Sequence, residues 1–385
     1  MVQTETILPE IIDFRRKLHT IPELAGKEFK TCAAIREELA KIDGVEVLPP
    51  FLETDTVAFI HGGKGEGKNV TLRADIDALP VTEPDGVDFK SVNPGMMHAC
   101  GHDMHSAILM GAAKILAARR DEFAGSVRLV FQPGEENLAM AKDLLAAGAL
   151  DVPEADFTSA LHCEPGMETG AIGLREGAMM SSCQHFKVIF RGVGGHGSRP
   201  HKARSPLPAA CAAVLELQSV VTNRINTQNP AVLSVCSIHC GELDNVIADE
   251  AYFIGTLRAL DDQTAEDLAS GLEEVCQAVA KIYRVECETH IARGGYPATV
   301  NSRSGAELAR QVIRDAGIKC IEMPESNMAS EDFSYFLKKA KDGVMVKLGV
   351  GEACAPLHNS GFMPDEKAVA NGIEYMVGIA LAALK

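Results

Sequence analysis

His98-Ala99-Cys100-Gly101-His102-Asp103-Met104-His105 is followed at once by an apolar run from Ser106 to Ala118. The run predicts a helix, which places the preceding cluster on a loop just ahead of the helix N-terminus. Gly101 lets the backbone turn tightly between Cys100 and His102. The positive end of the helix favours a thiolate over a thiol at Cys100. A single Cys or His here would be an ordinary buried or solvated residue. Five such groups in eight residues point instead to a metal or catalytic site. Thiolate, imidazole and carboxylate together suit a borderline divalent ion such as zinc, or a harder one such as manganese.

Working outward, Asn69-Val70-Thr71-Leu72-Arg73 reads as a strand that runs directly into Ala74-Asp75-Ile76-Asp77-Ala78-Leu79-Pro80. Asp75 and Asp77 point the same way if the extended geometry persists. Turn chemistry, Asp plus Pro, explains them equally well. Ser126 to Phe131 is a buried-type strand that ends in Gln132-Pro133-Gly134-Glu135-Glu136, and Phe157 to Leu161 is another that ends in His162-Cys163-Glu164. A Glu pair at a helix start is stabilised by the helix dipole without any catalytic role. The repetition is harder to dismiss, because three strands each end in metal-type or acid/base residues. Ligand groups at strand ends, alternating with helical runs at Ile7–His19, Lys27–Ile42, Ala139–Ala149, Ser304–Ala316 and Ala368–Leu384, predict an α/β fold.

From about His185 the texture changes. Phe186 to Arg191 is a strand, Pro206 to Thr222 a helix, Ala231 to His239 a strand, and Val246 to Leu260 a long strand or bent pair. A helix over Thr264–Tyr283, capped by Asp261 or Asp262, and a strand over Val285–Ala292 follow. The order β-α-β-β-α-β is the split arrangement of a ferredoxin-like domain. We therefore expect residues 1–184 and 296–385 to form the catalytic domain and residues 185–295 an inserted lid or dimerisation domain. Gly192-Val193-Gly194-Gly195 and Gly294-Gly295 lie near the insert's ends as expected hinges.

The bulk composition excludes several classes. At 385 residues and 46% apolar content, the chain is long enough for two or three domains with full cores. A net charge of −16 argues against nucleic-acid binding. No stretch approaches the ~20 apolar residues of a membrane helix. Met1 to Thr6 shows neither the basic nor the apolar region of a secretory signal. Eleven scattered cysteines, an odd count, are most simply free thiols in a reducing cytoplasm.

Asp75, Asp77, Cys100, His102, Asp103, His105, Glu135, Glu136, His162 and His358 all fall at expected strand ends, turns or loops. Two metal ions ~3.5–4 Å apart need a bridging ligand and further ligands each, and this set is large enough. Adjacent carboxylates such as Glu135 and Glu136 point in different directions, so one can ligate while the other acts as base.

These residues carry a resemblance. Arg16-Lys17-Leu18-His19, Ile21-Pro22-Glu23-Leu24, Leu72 to Pro80, Met97 to His105, Phe131-Gln132-Pro133, Gly194-Gly195-His196, Asn245-Val246-Ile247, Gly255-Thr256-Leu257-Arg258, Ser330-Glu331-Asp332-Phe333 and Leu357-His358-Asn359 together resemble the M20 metallopeptidases and amidohydrolases. The Cys-Gly-His-Asp element is similar to the subgroup of hippurate hydrolases, N-acyl-amino-acid deacylases and auxin-conjugate hydrolases. The resemblance implies an α/β/α catalytic domain with a central mixed sheet, an inserted ferredoxin-like domain and a homodimer. It also implies a metal-dependent amidohydrolase that cleaves the amide bond of N-acetyl, N-benzoyl or similar N-acyl amino acids.

By the same resemblance, Cys100, His102, Glu136, His162 and His358 bind two divalent ions (zinc, manganese, cobalt or nickel), with Cys100 as bridge. Glu135 is the general base. Asp75 is the supporting carboxylate that orients a ligand, with Asp77 the second choice for that role. His196 polarises the scissile carbonyl, reaching a neighbouring subunit's site, and Asn245 and Arg258 hold the substrate carboxylate. His98, Asp103 and His105 are supporting. The chain departs from the pattern at Asn137-Leu138-Ala139-Met140, where relatives carry a small Gly-rich run, so the acyl preference does not carry over. A dipeptidase or carboxypeptidase of the same family is the alternative. Two more distant readings are a metal-independent thiol hydrolase using Cys100 with His102 or His105, and a non-catalytic zinc-binding protein.

Overall fold

The computed structural model describes residues 3–293 and 295–385. The chain forms two compact units, Met1–Met179 with Val300–Glu325 and Asp332–Lys385, and Met180–Thr299 with Ser326–Glu331. Each is described by itself.

The first unit is built on an eight-stranded mixed sheet. Its spatial order is Val45–Val47, Thr56–His61, Ser126–Gln132, Asn69–Asp75, Phe157–Glu164, Gly343–Gly349, Ile172–Leu174 and Cys320–Glu322. The central four strands run parallel. The first two pair antiparallel at one edge, and Ile172–Leu174 pairs antiparallel to Gly343–Gly349 at the other. Val70, Leu72 and Ala74 point into the core that helices Thr4–Thr20, His102–Ala118 and Ala368–Ala383 complete. Alternate residues face the opposite layer, where the Arg73 guanidinium lies over the Phe333 ring just ahead of helix Ser334–Lys339. Two of the core helices approach closely through reciprocal glycines. A Cβ on Gly111 would lie 2.5 Å from Ile373 Cδ1, and one on Gly372 would lie 2.6 Å from Ile108 Cδ1. The short strands Ile172–Leu174 and Cys320–Glu322 escaped the sequence reading, because three residues are too few to show a period.

The second unit is a four-stranded antiparallel sheet in the order Ala231–Cys240, Glu250–Ala259, Gln184–Arg191, Glu286–Ile291. With helices Leu207–Glu216, Gln218–Arg224 and Asp262–Tyr283 it makes the β-α-β-β-α-β ferredoxin-like arrangement. Phe186, Val188, Phe190, Phe253, Leu268, Leu272 and Cys276 pack its separate core. Asp261 caps the long helix by accepting from the Thr264 N–H at 2.8 Å. Of the long strand or bent pair expected at Val246–Leu260, the structure forms two pieces, Val246–Ile247 and Glu250–Ala259. The unit begins before residue 185 and takes in Ser326–Glu331, because the Ser181 N–H donates to the carbonyls of Asn327 and Ala329. Gly294, half of one expected hinge, lies outside the described residues. Among the described residues no helix is long and apolar enough to cross a membrane.

A buried charge chain ties the first helix to the loop region. Arg15 Nε donates to Asp103 Oδ2 at 2.9 Å, and His19 spans Asp103 at 2.8 Å and Glu83 at 3.0 Å. Burial lowers the His19 pKa, but Asp103 and Glu83 outweigh it and the net shift is upward. A histidine whose folded pKa is raised adds stability in full below its unfolded value, and loses it as pH rises through the folded one. The wild-type urea midpoint is therefore expected to fall further than that of His19→Gln between about pH 6 and pH 9. Parallel midpoints at the two pH values would refute this ion-paired role.

Candidate metal centre

The parallel strands Asn69–Asp75, Ser126–Gln132, Phe157–Glu164 and Gly343–Gly349 bring their carboxyl ends to one edge of the sheet. This is where ligand sites collect in α/β sheets. The Cys100–His105 cluster joins them there, but only its first two residues, Cys100 and Gly101, are on the loop. The helix begins at His102, so His102, Asp103 and His105 lie in its first turns, and all are buried. Gly101 sits ahead of it at φ 91°, and a Cβ there would lie 2.8 Å from Cys163 Sγ. Only glycine meets both demands.

The imidazoles are oriented by their neighbours. His102 Nδ1 faces the Asp77 carbonyl oxygen at 2.9 Å and Asp77 Oδ1 at 3.1 Å, so Nδ1 carries the proton. Its Nε2 is buried with no hydrogen-bond partner. His162 Nδ1 donates to the Cys163 carbonyl at 2.7 Å, which leaves Nε2 facing Cys100 Sγ at 3.5 Å. Glu136 Oε2 lies 3.2 Å from His358 Nε2, while its Oε1 is buried and without a partner. His358 stands in the left-handed region at φ 64°, and its N–H donates to the Ala99 carbonyl at 2.8 Å, beside Cys100.

Among the groups of donors whose ligand atoms lie within 4.8 Å of one another, two are Cys100–His102–His162 and Cys100–Glu136–His358. They share Cys100. Lone pairs of two imidazoles and an idle carboxylate oxygen, desolvated and turned toward a thiol, fit divalent ions that take nitrogen, sulfur and oxygen donors. The electrostatics agree. Burial pulls His102 down, but Asp75, Asp77 and Glu136 outweigh it and push it up to about 10, so without an ion these carboxylates hold a proton on the ring, which a divalent cation bound at Nε2 would displace. Burial first, then Lys347 and His105, holds His162 well below its usual value, in the neutral form that can ligate.

Three expectations need correction. The helix N-terminus does not make Cys100 a thiolate by itself, because burial and the carboxylates of Glu136, Glu135 and Asp75 push the thiol well above its ordinary value. Asp77, rather than Asp75, meets His102 Nδ1. The strand ends at Asp75, and the two aspartates meet different nitrogens of His102, Asp77 Oδ1 at Nδ1 and Asp75 Oδ2 3.7 Å from Nε2. Asp75 also accepts from His105 Nδ1 at 2.6 Å and from Arg73 Nη1 at 2.7 Å. His105 Nε2 in turn accepts the Cys163 N–H at 2.8 Å, so both its nitrogens are engaged. Third, the helix expected over Ala139–Ala149 is Met140–Ala146. A separate turn, Glu135–Leu138, precedes it, with Ala139 at φ 50° between them.

Glu135, 6% exposed, lies beside the two donor groups, its ligand atom within 4.8 Å of those of His102 and Glu136. The sequence reading missed what braces this edge. Arg73, buried in mid-strand, also donates from Nε to Gln132 Oε1 at 2.8 Å and from Nη2 to Asp332 Oδ1 at 2.9 Å. An Arg inside a strand of buried type was the available signal. Glu28, whose carboxyl burial pushes up to about 7, was missed without any signal.

In the second unit, His196 is exposed on the two-residue strand Gly195–His196, paired with Val246–Ile247. Its Nδ1 accepts from the Ser198 N–H at 3.1 Å. His196 and Asn245 line one cavity of about 490 Å³. Arg258 is not among its lining residues and donates to the Met328 carbonyl at 2.8 Å.

Comparison with known proteins bears on this site. Residues 71–382 match the model of "Peptidase family M20/M25/M40". The chain is 36% identical over 382 residues to thermostable carboxypeptidase 2 of Saccharolobus solfataricus, covering 97% of this chain and 95% of that one. It is 34% identical over 368 residues to N-acetyl-L-cysteine deacetylase of Bacillus subtilis, covering 96% and 86%. A crystal structure of a Bacillus subtilis protein described as a dinuclear metal binding peptidase from the M20 family superposes with a TM-score of 0.86. It is 30% identical and covers 99% of both chains. A family model that matches most of the chain, and relatives that cover nearly all of it, thus place this protein, with its Cys-His-Glu-His-His constellation on a mixed α/β sheet, in the peptidase family M20/M25/M40, as a hydrolase of amide bonds.

Proposed function

We propose that this protein hydrolyses the amide bond of N-acyl amino acids, releasing the amino acid and a carboxylic acid. Two donor groups sharing Cys100, with Glu135 beside them, carry this reading. Cys100, His102, Glu136, His162 and His358 would hold two divalent ions, chosen among zinc, manganese, cobalt and nickel. When bound, such ions supply Lewis acidity, making water a better acid and a carbonyl a better electrophile. Glu135 takes the proton from the attacking water and returns it to the leaving nitrogen. Asp77 keeps His102 in the tautomer that presents Nε2. His196 donates to the oxygen that gains charge, and Asn245 and Arg258 hold the substrate carboxylate. The second unit then acts as the pairing element of a homodimer, with His196 serving the neighbouring subunit.

The test is a panel of N-acetyl amino acids, N-benzoylglycine and unmodified dipeptides, with the metal content of the purified protein measured alongside. N-acyl amino acids are expected to exceed dipeptides in kcat/KM by at least about tenfold, which corresponds to ~1.4 kcal/mol of differential transition-state binding. Similarity to a protein named a carboxypeptidase favours the other arm. A preference for free dipeptides or longer peptides would replace deacylation with peptidase action.

A further inference from the structure

We propose that Glu28 is a positioning residue, holding the turn from which Glu135 and Glu136 project. Glu28 is fully buried and directly precedes helix Phe29–Leu39, more than a hundred residues from the pair. Its Oε1 accepts two backbone N–H groups, from Gly26 at 2.9 Å and from Gly134 at 2.9 Å. Gly134 immediately precedes Glu135. Its φ of 66° is left-handed, and a Cβ there would lie 2.4 Å from Met140 Sδ. The chain therefore turns sharply at Gly134, and the orientation of this peptide sets where the next two side chains point.

Three carboxylates pin the segment by its backbone. Glu28 takes the Gly134 N–H, Asp77 Oδ2 takes the Glu136 N–H at 3.0 Å, and Asp332 Oδ2 takes the Ala141 N–H at 3.0 Å. Asp77 also orients His102, and Asp332 also pairs with Arg73. Glu28 links the segment to the Gly26 turn. An apolar side chain would be buried here at lower desolvation cost, so the contribution of the carboxyl lies in its hold on these two N–H groups. Either charge state of the acid offers Oε1 as an acceptor, and so does a glutamine.

The inference rests on the base and ligand roles proposed above for Glu135 and Glu136. It is tested on the full chain with Glu28→Gln, Glu28→Asp and Glu28→Met. Each is measured for kcat and KM on the best N-acyl amino acid of the panel. Each is also loaded with Co²⁺, whose visible absorption reports ligand geometry without turnover. Glu28→Gln is expected to keep kcat within about threefold and the wild-type cobalt spectrum. Glu28→Met, and Glu28→Asp with its shorter reach, are expected to lose ~10–100-fold in kcat while KM stays within about threefold. Their cobalt spectra should shift at unchanged cobalt content. A glutamine variant as impaired as the methionine one, or losses that simply track the fraction folded, would reduce Glu28 to packing. Wild-type kcat and spectrum in both Asp and Met variants would overturn the inference. If the wild type cleaves no N-acyl amino acid, the deacylase reading falls while the spectra still decide Glu28. Should Glu28→Met not fold, Glu28→Asp carries the test.

Discussion

Removal of divalent ions by a chelator is expected to abolish amide hydrolysis, by a factor of at least ~10³, and return of zinc, manganese, cobalt or nickel to restore it. The expectation follows from what the site contains without a cation. His102 Nε2 and Glu136 Oε1 are buried 3.9 Å apart, neither with a hydrogen-bond partner, and an unsatisfied buried polar atom costs ~1–3 kcal/mol. The carboxylates of Glu136, Glu135 and Asp75, together with burial, hold the Cys100 thiol protonated. A cation resolves all of these at once, so loading should also raise the melting temperature, with a gain of ~3–4 kcal/mol once free metal exceeds its Kd by 100- to 1,000-fold. Chelation separates this chemistry from that of a thiol nucleophile. Full activity in chelated protein would make Cys100 the attacking group and remove the metal reading. The structure already weakens that rival, since His105 has both ring nitrogens engaged and burial, with the carboxylates of Glu136, Glu135 and Asp75, pushes the Cys100 thiol up rather than down.

Glu135→Gln is expected to bind metal as the wild type does and to lose ~10²–10⁴-fold in kcat, with a smaller change in KM. Glutamine has the shape and hydrogen-bonding reach of glutamate but cannot take a proton from water. Glu135 is suited to that task because it lies against the donor groups yet belongs to neither of the two that share Cys100. Metal content and kcat measured on the same preparation make the assignment decisive. A variant that loses metal would move Glu135 into the ligand set. One that keeps both metal and activity would leave proton transfer to another group, and Asp75 would be the next to examine.

Much of this was legible in the linear chain for a simple reason. Periodicity and turn residues are local, and they located most of the longer elements to within a few residues, including the whole β-α-β-β-α-β unit. The donor types clustered at strand ends, so Cys100, His102, Glu136, His162 and His358 stood among ten candidates, and the resemblance to the M20 family then singled them out even though up to 258 positions separate them. Where two residues competed for one role, local reasoning ran out. Asp75 and Asp77 are indistinguishable by type and spacing. Only the end of the strand at Asp75, set by pairing with Gln132, turns one toward Arg73 and His105 and the other toward Nδ1 of His102.

By itself, then, the sequence determined the fold class, the inserted unit and the set of candidate ligands, because each is written in periodicity, composition or residue chemistry. Tertiary structure alone decided which nitrogen of each imidazole is free, which aspartate steadies His102, and how buried carboxylates govern Cys100. It also decided that Glu28, distant in sequence and ordinary in its local pattern, grips the turn ahead of Glu135. Those matters depend on desolvation and on hydrogen bonds between residues far apart in the chain, which no window along the sequence contains.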